Sequence, residues 1–147
     1  MTFNIEEERL MKLPKITTFL MFNGDAEEAV QLYTTLFEDS EIITMVKYDA
    51  TTSQQEGKVQ HTIFKLNGQV FMAIDNMNGA DIEMNPAMSL FVTVKDQYEM
   101  DVLYNGLKEG GAILMPKTEM QPQYREFAWV QDKFGVNFQL ALPESKK

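Results

Sequence analysis

His61 is the single histidine of the chain, and there are no cysteines. It is therefore the one side chain whose ordinary pKa lies near neutrality. Two readings of it stand side by side: a proton-transferring or ligand-contacting residue, and a partly buried strand histidine satisfied by one hydrogen bond. A general base also needs a group that orients it, and the sequence assigns no carboxylate to that role. The lack of cysteine removes disulfides, thiolate metal sites and thiol nucleophiles together. Asp75, Asp81 and Glu83 gather around the segment NMNGADIEMNP, but their spacing fails the alternation of a calcium loop. Tyr124 and Arg125 fall in the stretch Pro116–Glu126, which has the length and polarity of a pocket lid. Arg125 there pairs with an anionic ligand or stays solvated.

The elements that must position these residues follow from periodicity. Ile16–Phe22 is an apolar, β-rich run that ends in the turn pair Asn23-Gly24. Asp25 then opens a helix with Glu28 three residues later, the spacing of a capping box. Ala26, Ala29, Val30, Tyr33, Leu36 and Phe37 give that helix one apolar stripe. Strands are predicted at Ile42–Tyr48, Val59–Leu66 and Val70–Asp75, the last two joined by Asn67-Gly68, a strong hairpin signal. The order then recurs. Met88–Val94 reads as a strand, and Asp96 with Glu99 caps a helix striped by Met100, Leu103, Tyr104 and Leu107, closed by Gly110-Gly111. Ala112–Met115, Phe127–Gln131 and Val136–Leu142 complete the set, the last pair turning at Phe134-Gly135.

Asp25 maps to Asp96 and Thr18 to Ser89 at an offset of 71, and Gly68 maps to Gly135 at 67. This is an internal repeat. The chain thus reads as an acidic N-terminal extension over 1–14, a βαβββ module over 15–76, a linker over 77–87, a second βαβββ module over 88–143 and a short tail over 144–147. The fold class is α+β: two modules that form a curved mixed sheet around a cavity, a favoured place for small ligands.

Composition narrows the partners. A net charge of −9, with thirteen scattered Lys and Arg residues, repels phosphate backbones and anionic lipid heads. Nucleic acid and membrane surfaces are not expected partners. The start MTFNIEEERLMKLPK has acidic residues where a secretion signal needs a basic flank and an apolar run, and no apolar stretch reaches the roughly 20 residues that span a bilayer. The expected location is the cytoplasm. Eleven methionines fill a core or line an adaptable pocket.

The segments FLMFNGDAEEAVQLYTTLFEDS, LNGQVFMAID and WVQDKFGVNFQLALP resemble the PhnB-like branch of the vicinal oxygen chelate superfamily, which includes glyoxalase I, extradiol dioxygenases and bleomycin-resistance proteins. The resemblance covers about residues 15–143. It implies the glyoxalase/bleomycin-resistance fold, a homodimer, and a cavity on the concave sheet face. The branch often carries the name of a demethylubiquinone methyltransferase. In metal-using members of the superfamily, four side chains on the first and fourth strands of each module hold a divalent ion. The matching positions here are Thr18, Met72, Ser89 and Gln139. None is a good donor to a divalent ion: hydroxyls and an amide are weak neutral ligands, and a thioether prefers soft Cu(I). Shifts of one or two residues along each strand bring in no better donor. No metal and no cofactor are expected, and a methyl donor lacks the Gly-rich turn it usually needs.

A two-residue Asn67-Gly68 turn pairs Leu66 with Gln69. That register puts Met72 opposite Ile63, and His61 on the same side of the sheet. By the same parity Gln139 faces Val130, and Trp129 turns toward the helix. Thr18, Ser89 and Gln139 then stand as neutral polar groups around Met72, Ile63, Leu20 and Phe91. Three functions remain open. One is metal-free binding of a small amphipathic or aromatic molecule by Thr18, His61, Met72, Ser89, Gln139 and Arg125. Another is an enzyme, metal-dependent or methyl-transferring by resemblance, or a metal-free acid–base catalyst using His61. The last is a partner domain whose cavity is filled by its own side chains.

Overall fold

A computed structural model describes residues 13–49, 51 and 56–145, and the chain divides into two compact units between Ile82 and Glu83. The acidic extension expected over 1–14 lies outside the described residues up to position 12, as do the last two residues of the tail. The first unit runs β1 (Thr18–Phe22), α1 (Ala26–Leu36), β2 (Glu41–Lys47), β3 (Val59–Leu66) and β4 (Gln69–Asp75). The second runs β5 (Leu90–Thr93), α2 (Gln97–Lys108), β6 (Ala112–Met120), β7 (Tyr124–Gln131) and β8 (Asn137–Pro143). Each unit folds one mixed four-stranded sheet, in the orders β1-β4-β3-β2 and β5-β8-β7-β6. In both, the first strand lies parallel to the fourth and the other pairs are antiparallel. One topology built twice is the α+β repeat read from the sequence.

Each helix buries its stripe on one face of its own sheet. On α1 the residues Ala26, Ala29, Val30 and Tyr33 are fully buried, at the spacing of a single helical face. Beneath them β3 and β4 supply Phe64 and Phe71, whose rings stack with centroids 5.5 Å apart, and Ala73. On α2 the stripe is Met100, Leu103, Tyr104 and Leu107, and the buried strand residues are Ala128, Val130, Phe138 and Leu140. Each large apolar side chain so buried contributes roughly 1.5–3 kcal/mol.

The two helices start differently. Asp96 accepts from the Glu99 N–H at 2.9 Å, while the Glu99 carboxylate accepts from the Lys95 N–H at 2.8 Å, closing a reciprocal cap much as the spacing predicts. Asp25 makes no such bond, contrary to the capping box expected there. Its task is taken by Asp75, from the far end of β4. Asp75 Oδ1 accepts from the N–H groups of Gly24 (3.0 Å) and Ala26 (2.9 Å), and Oδ2 from that of Val59 (2.8 Å).

Two turns set the strand registers. The Asn67-Gly68 hairpin behaves as expected: pairing runs from Leu66↔Gln69 through Ile63↔Met72 to Thr62↔Ala73. The β7–β8 turn is longer than the predicted Phe134-Gly135 pair. Buried Asp132 accepts from the N–H groups of Phe134 and Val136, both at 2.9 Å, and organises a five-residue loop, so that Gln131 pairs with Asn137. Between β6 and β7 the predicted lid loop is not a loop. β6 continues to Met120 and β7 begins at Tyr124, so most of the stretch is an extended hairpin. Pro116 is tolerated because β6 is an edge strand. Before β6 the chain passes so close to β7 that a Cβ on Gly111 would lie 2.1 Å from the Gln131 carbonyl oxygen. Only glycine fits there.

These caps give a graded expectation. Asp75→Asn leaves buried N–H groups without a carboxylate and puts an amide N–H against one of them, costing about 2–4 kcal/mol. Asp96→Ala costs about 1 kcal/mol, as loss of a cap usually does. Asp25→Ala shifts stability by less than about 0.5 kcal/mol, like a surface change away from any cap or core. Urea midpoints of the three variants rank them, and a large loss in Asp25→Ala would contradict the assignment of the cap to Asp75.

Candidate functional site

The sheet face of the second unit that α2 leaves uncovered is where polar and aromatic groups converge. β5 and β8 run in register with Phe91 beside Gln139 and Thr93 beside Ala141. β7 adds Trp129 beside Gln139 and Phe127 beside Ala141. Residues directly opposite one another share a face, so Phe91, Gln139 and Trp129 form one row across the sheet. Ser89, two residues before Phe91, joins the same side: Gln139 Nε2 donates to Ser89 Oγ at 2.7 Å. Next to this pair lie three aromatic rings. Phe91 sits 6.2 Å from Tyr124 and 6.4 Å from Phe127, with Tyr124 and Phe127 themselves 6.2 Å apart. Phe91 is half exposed, at 50%, which is unusual for a phenylalanine inside an aromatic cluster. Trp129 Nε1 donates to Asn137 Oδ1 at 3.1 Å, which satisfies the indole and fixes its plane.

Trp129 therefore stands on the face of Gln139, not against the helix as its alternation predicted, and Gln139 is opposite Trp129, not Val130. The cause is the Asp132 loop. It moves the β7–β8 register by one residue from that of a two-residue turn, and one residue exchanges the faces. This shift also brings Phe127 into the cluster. The sequence signal for it was Asp132 standing three residues before Gly135, an aspartate placed to hold a loop through its own side chain.

In the first unit Met72 lies opposite Ile63 and beside Phe19, with His61 two residues beyond Ile63 on the same side. Thr18 does not join them. It is in register with Phe71, and Leu20 with Ala73, which puts both on the helix-covered face, and Phe19 and Met21 take the places predicted for them. The physical reason is the Asn23-Gly24 turn. Phe19 beside Met72 corresponds to Phe91 beside Gln139, an offset of 72, whereas the helix starts at Asp25 and Asp96 differ by 71. The first unit has one more residue between strand and helix, so a match made on the helix start misplaces the strand by one. His61 is buried, and desolvation lowers its pKa below the ordinary imidazole value. Burial thus favours its neutral form. Asp75 is no orienting partner for it, since both its oxygens are held by backbone N–H groups.

Arg125 belongs to a different part of the sheet. Pairing shifts between Tyr124↔Pro143 and Glu126↔Leu142, which makes Arg125 the extra residue of a β-bulge, a feature that re-aims a side chain. It lines a cleft of about 500 Å³ with Thr93, Lys95, Gln97, Pro143 and Glu144. Four residues of β8 separate Gln139 from Pro143, about 13 Å of strand, and the aromatic rings lie between the two ends.

The structure thus brings Ser89 and Gln139 together, keeps Met72 and His61 on one face of the first sheet, and leaves Thr18 out. The donors at the four positions do not suit a divalent ion: Ser89 and Gln139 are bonded to each other, Thr18 is on the opposite face from Met72, and Met72 offers a thioether. Among the described residues no three His, Asp or Glu side chains are grouped to hold a metal ion. A methyl-donor nucleotide finds no better support. Between β1 and α1 the one glycine, Gly24, has its N–H committed to Asp75, and a Cβ there would meet Lys58 Nζ at 2.9 Å. Between β5 and α2 there is no glycine. No helix among the described residues is long and apolar enough to cross a membrane.

Strand order, helix placement and repeat define the glyoxalase/bleomycin-resistance/dioxygenase fold. A domain of that description from Frankia superposes with a TM-score of 0.64 at 16% identity, covering 92% of this chain and 96% of that one. The chain belongs to the family described as 3-demethylubiquinone-9 3-methyltransferase, whose model matches residues 14–141. A PhnB protein from Bacillus cereus that bears the same methyltransferase description is 47% identical, with a TM-score of 0.83, over 88% of this chain and 99% of that one. A Pseudomonas aeruginosa protein is 25% identical with a TM-score of 0.75, over 90% and 99% of the two chains. Among curated proteins none matches.

With one histidine, the imidazole titration can be read from a single pair of NMR resonances. Its midpoint should fall below the unperturbed value of about 6.5. Because the folded-state pKa is lowered, the unfolded chain binds the proton more readily. Stability contributed by His61 is therefore full above about pH 6.5 and declines as pH falls toward the folded-state midpoint, where the loss levels off. His61→Gln should flatten that part of the stability–pH curve. A midpoint above 6.5 would contradict the burial of this side chain.

Proposed function

We propose that the protein binds a small amphipathic or aromatic molecule without a metal ion, on the uncovered sheet face of the second unit. The observation that carries this reading is the Ser89–Gln139 hydrogen bond, set beside the half-exposed Phe91 and its aromatic neighbours. Gln139 gives one N–H to Ser89, so its amide oxygen and the serine O–H remain to accept from and donate to a ligand. Phe91, Tyr124, Phe127 and Trp129 offer stacking and edge contacts to a ring. A few convergent polar groups on an apolar, aromatic floor is the usual composition of a small-molecule site. Arg125, which forms no ion pair among the described residues, serves an anionic end of a longer ligand. The same reading makes the protein a cytoplasmic homodimer, which accords with a cysteine-free chain and with the assemblies the family resemblance implies. The family's methyltransferase description supports no methyl-transfer step through the residues present.

Native mass spectrometry of protein purified without chelator is expected to show a dimer that carries an organic mass and no divalent ion. One divalent ion per site would overturn the metal-free reading. Anilinonaphthalene sulfonate, a fluorescent amphipathic probe, should bind saturably and quench the single tryptophan. Phe91→Ala should weaken that binding about tenfold, some 1.4 kcal/mol, without lowering the melting temperature much, because Phe91 is half exposed. Chelator should leave the affinity unchanged. Probe binding that is non-saturable, or equally tight in Phe91→Ala, counts against the assigned face.

A further inference from the structure

The chain contains four Asn-Gly pairs, at 23–24, 67–68, 78–79 and 105–106. Such a pair can modify itself. The backbone nitrogen of the glycine, once deprotonated, attacks the asparagine side-chain carbonyl carbon. A C–N bond forms, the bond from that carbon to Nδ2 breaks, and ammonia leaves, giving a cyclic imide. Water then opens either carbonyl to yield aspartate or isoaspartate. Glycine favours the reaction because no Cβ hinders the close approach. The fold decides which pair can reach it, since the glycine N–H must be free and the asparagine side chain must turn.

Three of the four pairs are held. Asn23 donates from Nδ2 to the Ile82 carbonyl at 2.8 Å and accepts from the Ile82 N–H at 3.0 Å, while the Gly24 N–H is bound to Asp75. In the Asn67-Gly68 turn the Gly68 N–H donates to the Asp39 carbonyl at 3.2 Å, and the Asn67 N–H to Ser40 Oγ at 3.3 Å. Asn105 and Gly106 lie inside α2 (Gln97–Lys108), where the backbone is fixed by the helical ladder. Asn78 and Gly79 differ on each count. Both are exposed, Gly79 has a φ of +88°, and nothing lies within 4 Å of where its Cβ would be. Among the described residues neither the Gly79 N–H nor the Asn78 side chain has a hydrogen-bond partner. Only the Asn78 N–H is tied, to Asn76 Oδ1 at 3.0 Å, which steadies the residue without blocking the attack.

We propose that Asn78 is a self-modification site in the native protein, converting to aspartate and isoaspartate while the fold protects the other three pairs. The product adds a negative charge beside Asp81 and Glu83, and its isoaspartate form inserts a backbone methylene into the connection that follows β4, before the boundary at Ile82 and Glu83. No core side chain is involved, so the fold persists.

The test is incubation of native protein at mildly alkaline pH and physiological temperature, with a denatured sample in parallel, followed by peptide mapping that separates aspartate from isoaspartate. In denaturant all four pairs should react at similar rates. In the native protein Asn78 should react several-fold faster than any other pair, and Asn78→Ser should abolish the new acidic species on isoelectric focusing. Native Asn67, Asn23 or Asn105 reacting as fast as Asn78 would overturn the proposal. So would a native Asn78 that stays intact while the denatured control converts.

Discussion

The carboxylate of Asp75 joins the parts of the first unit that the chain itself leaves apart. It takes two N–H groups at the start of α1 and one at the start of β3, while Asp75 closes β4 beside Phe22 of β1. Burying a charge costs several kcal/mol unless its lone pairs are filled. Three backbone donors fill them, and charge-assisted bonds of this kind are about twice as strong as neutral ones. The carboxylate also lies where the helix dipole is positive. Helix position, β1–β4 pairing and the entry to β3 are thereby tied to one side chain. The second unit uses a local cap, Asp96, for its helix and gives a buried aspartate, Asp132, to the β7–β8 loop instead. Two copies of one topology are thus pinned at different joints.

Those joints matter because a sheet has a period of two. A loop that adds a residue between two paired strands exchanges the faces that meet across that pair, and an added residue between a strand and a helix shifts by one any match of the strand made from the helix start. Trp129 and Phe127 reach the face of Gln139 because Asp132 holds a five-residue loop. Phe19, not Thr18, lies beside Met72 because the Asn23-Gly24 turn lengthens the path into α1. The position of each candidate side chain is set by turn chemistry as much as by its own strand.

This separates what could be read in the residues from what could not. Strands, helices and the repeat follow from hydrophobic period and from Asn67-Gly68, whose two-residue turn fixes a register that the structure keeps through Thr62↔Ala73. Ser89 and Gln139 were expected as neighbours from the family resemblance and the repeat offsets, and they do bond; the error in the β7–β8 register does not touch the β5–β8 pairing. Thr18 was not legible, since nothing in Asn23-Gly24 announces that this turn adds a residue between β1 and α1. The extended β6–β7 hairpin was hidden by Pro116 and by polar residues that suit an edge strand as well as a loop.

The chemistry of the uncovered face follows from its charge. Where a divalent ion needs anionic or imidazole donors, this face carries a serine, a glutamine and rings, and the single histidine lies in the first unit, where burial lowers its pKa. Neutral hydrogen-bonding groups orient a ligand without polarising it, so the free energy they supply falls on binding and geometry more than on bond breaking. Under the proposed function the aromatic rings would favour flat partners, and the cleft at Arg125, which Lys95, Asp96 and Glu144 also line, would place charged groups at one end. A fold alone assigns no chemistry; under the proposed metal-free function, the neutral groups of this face would serve recognition.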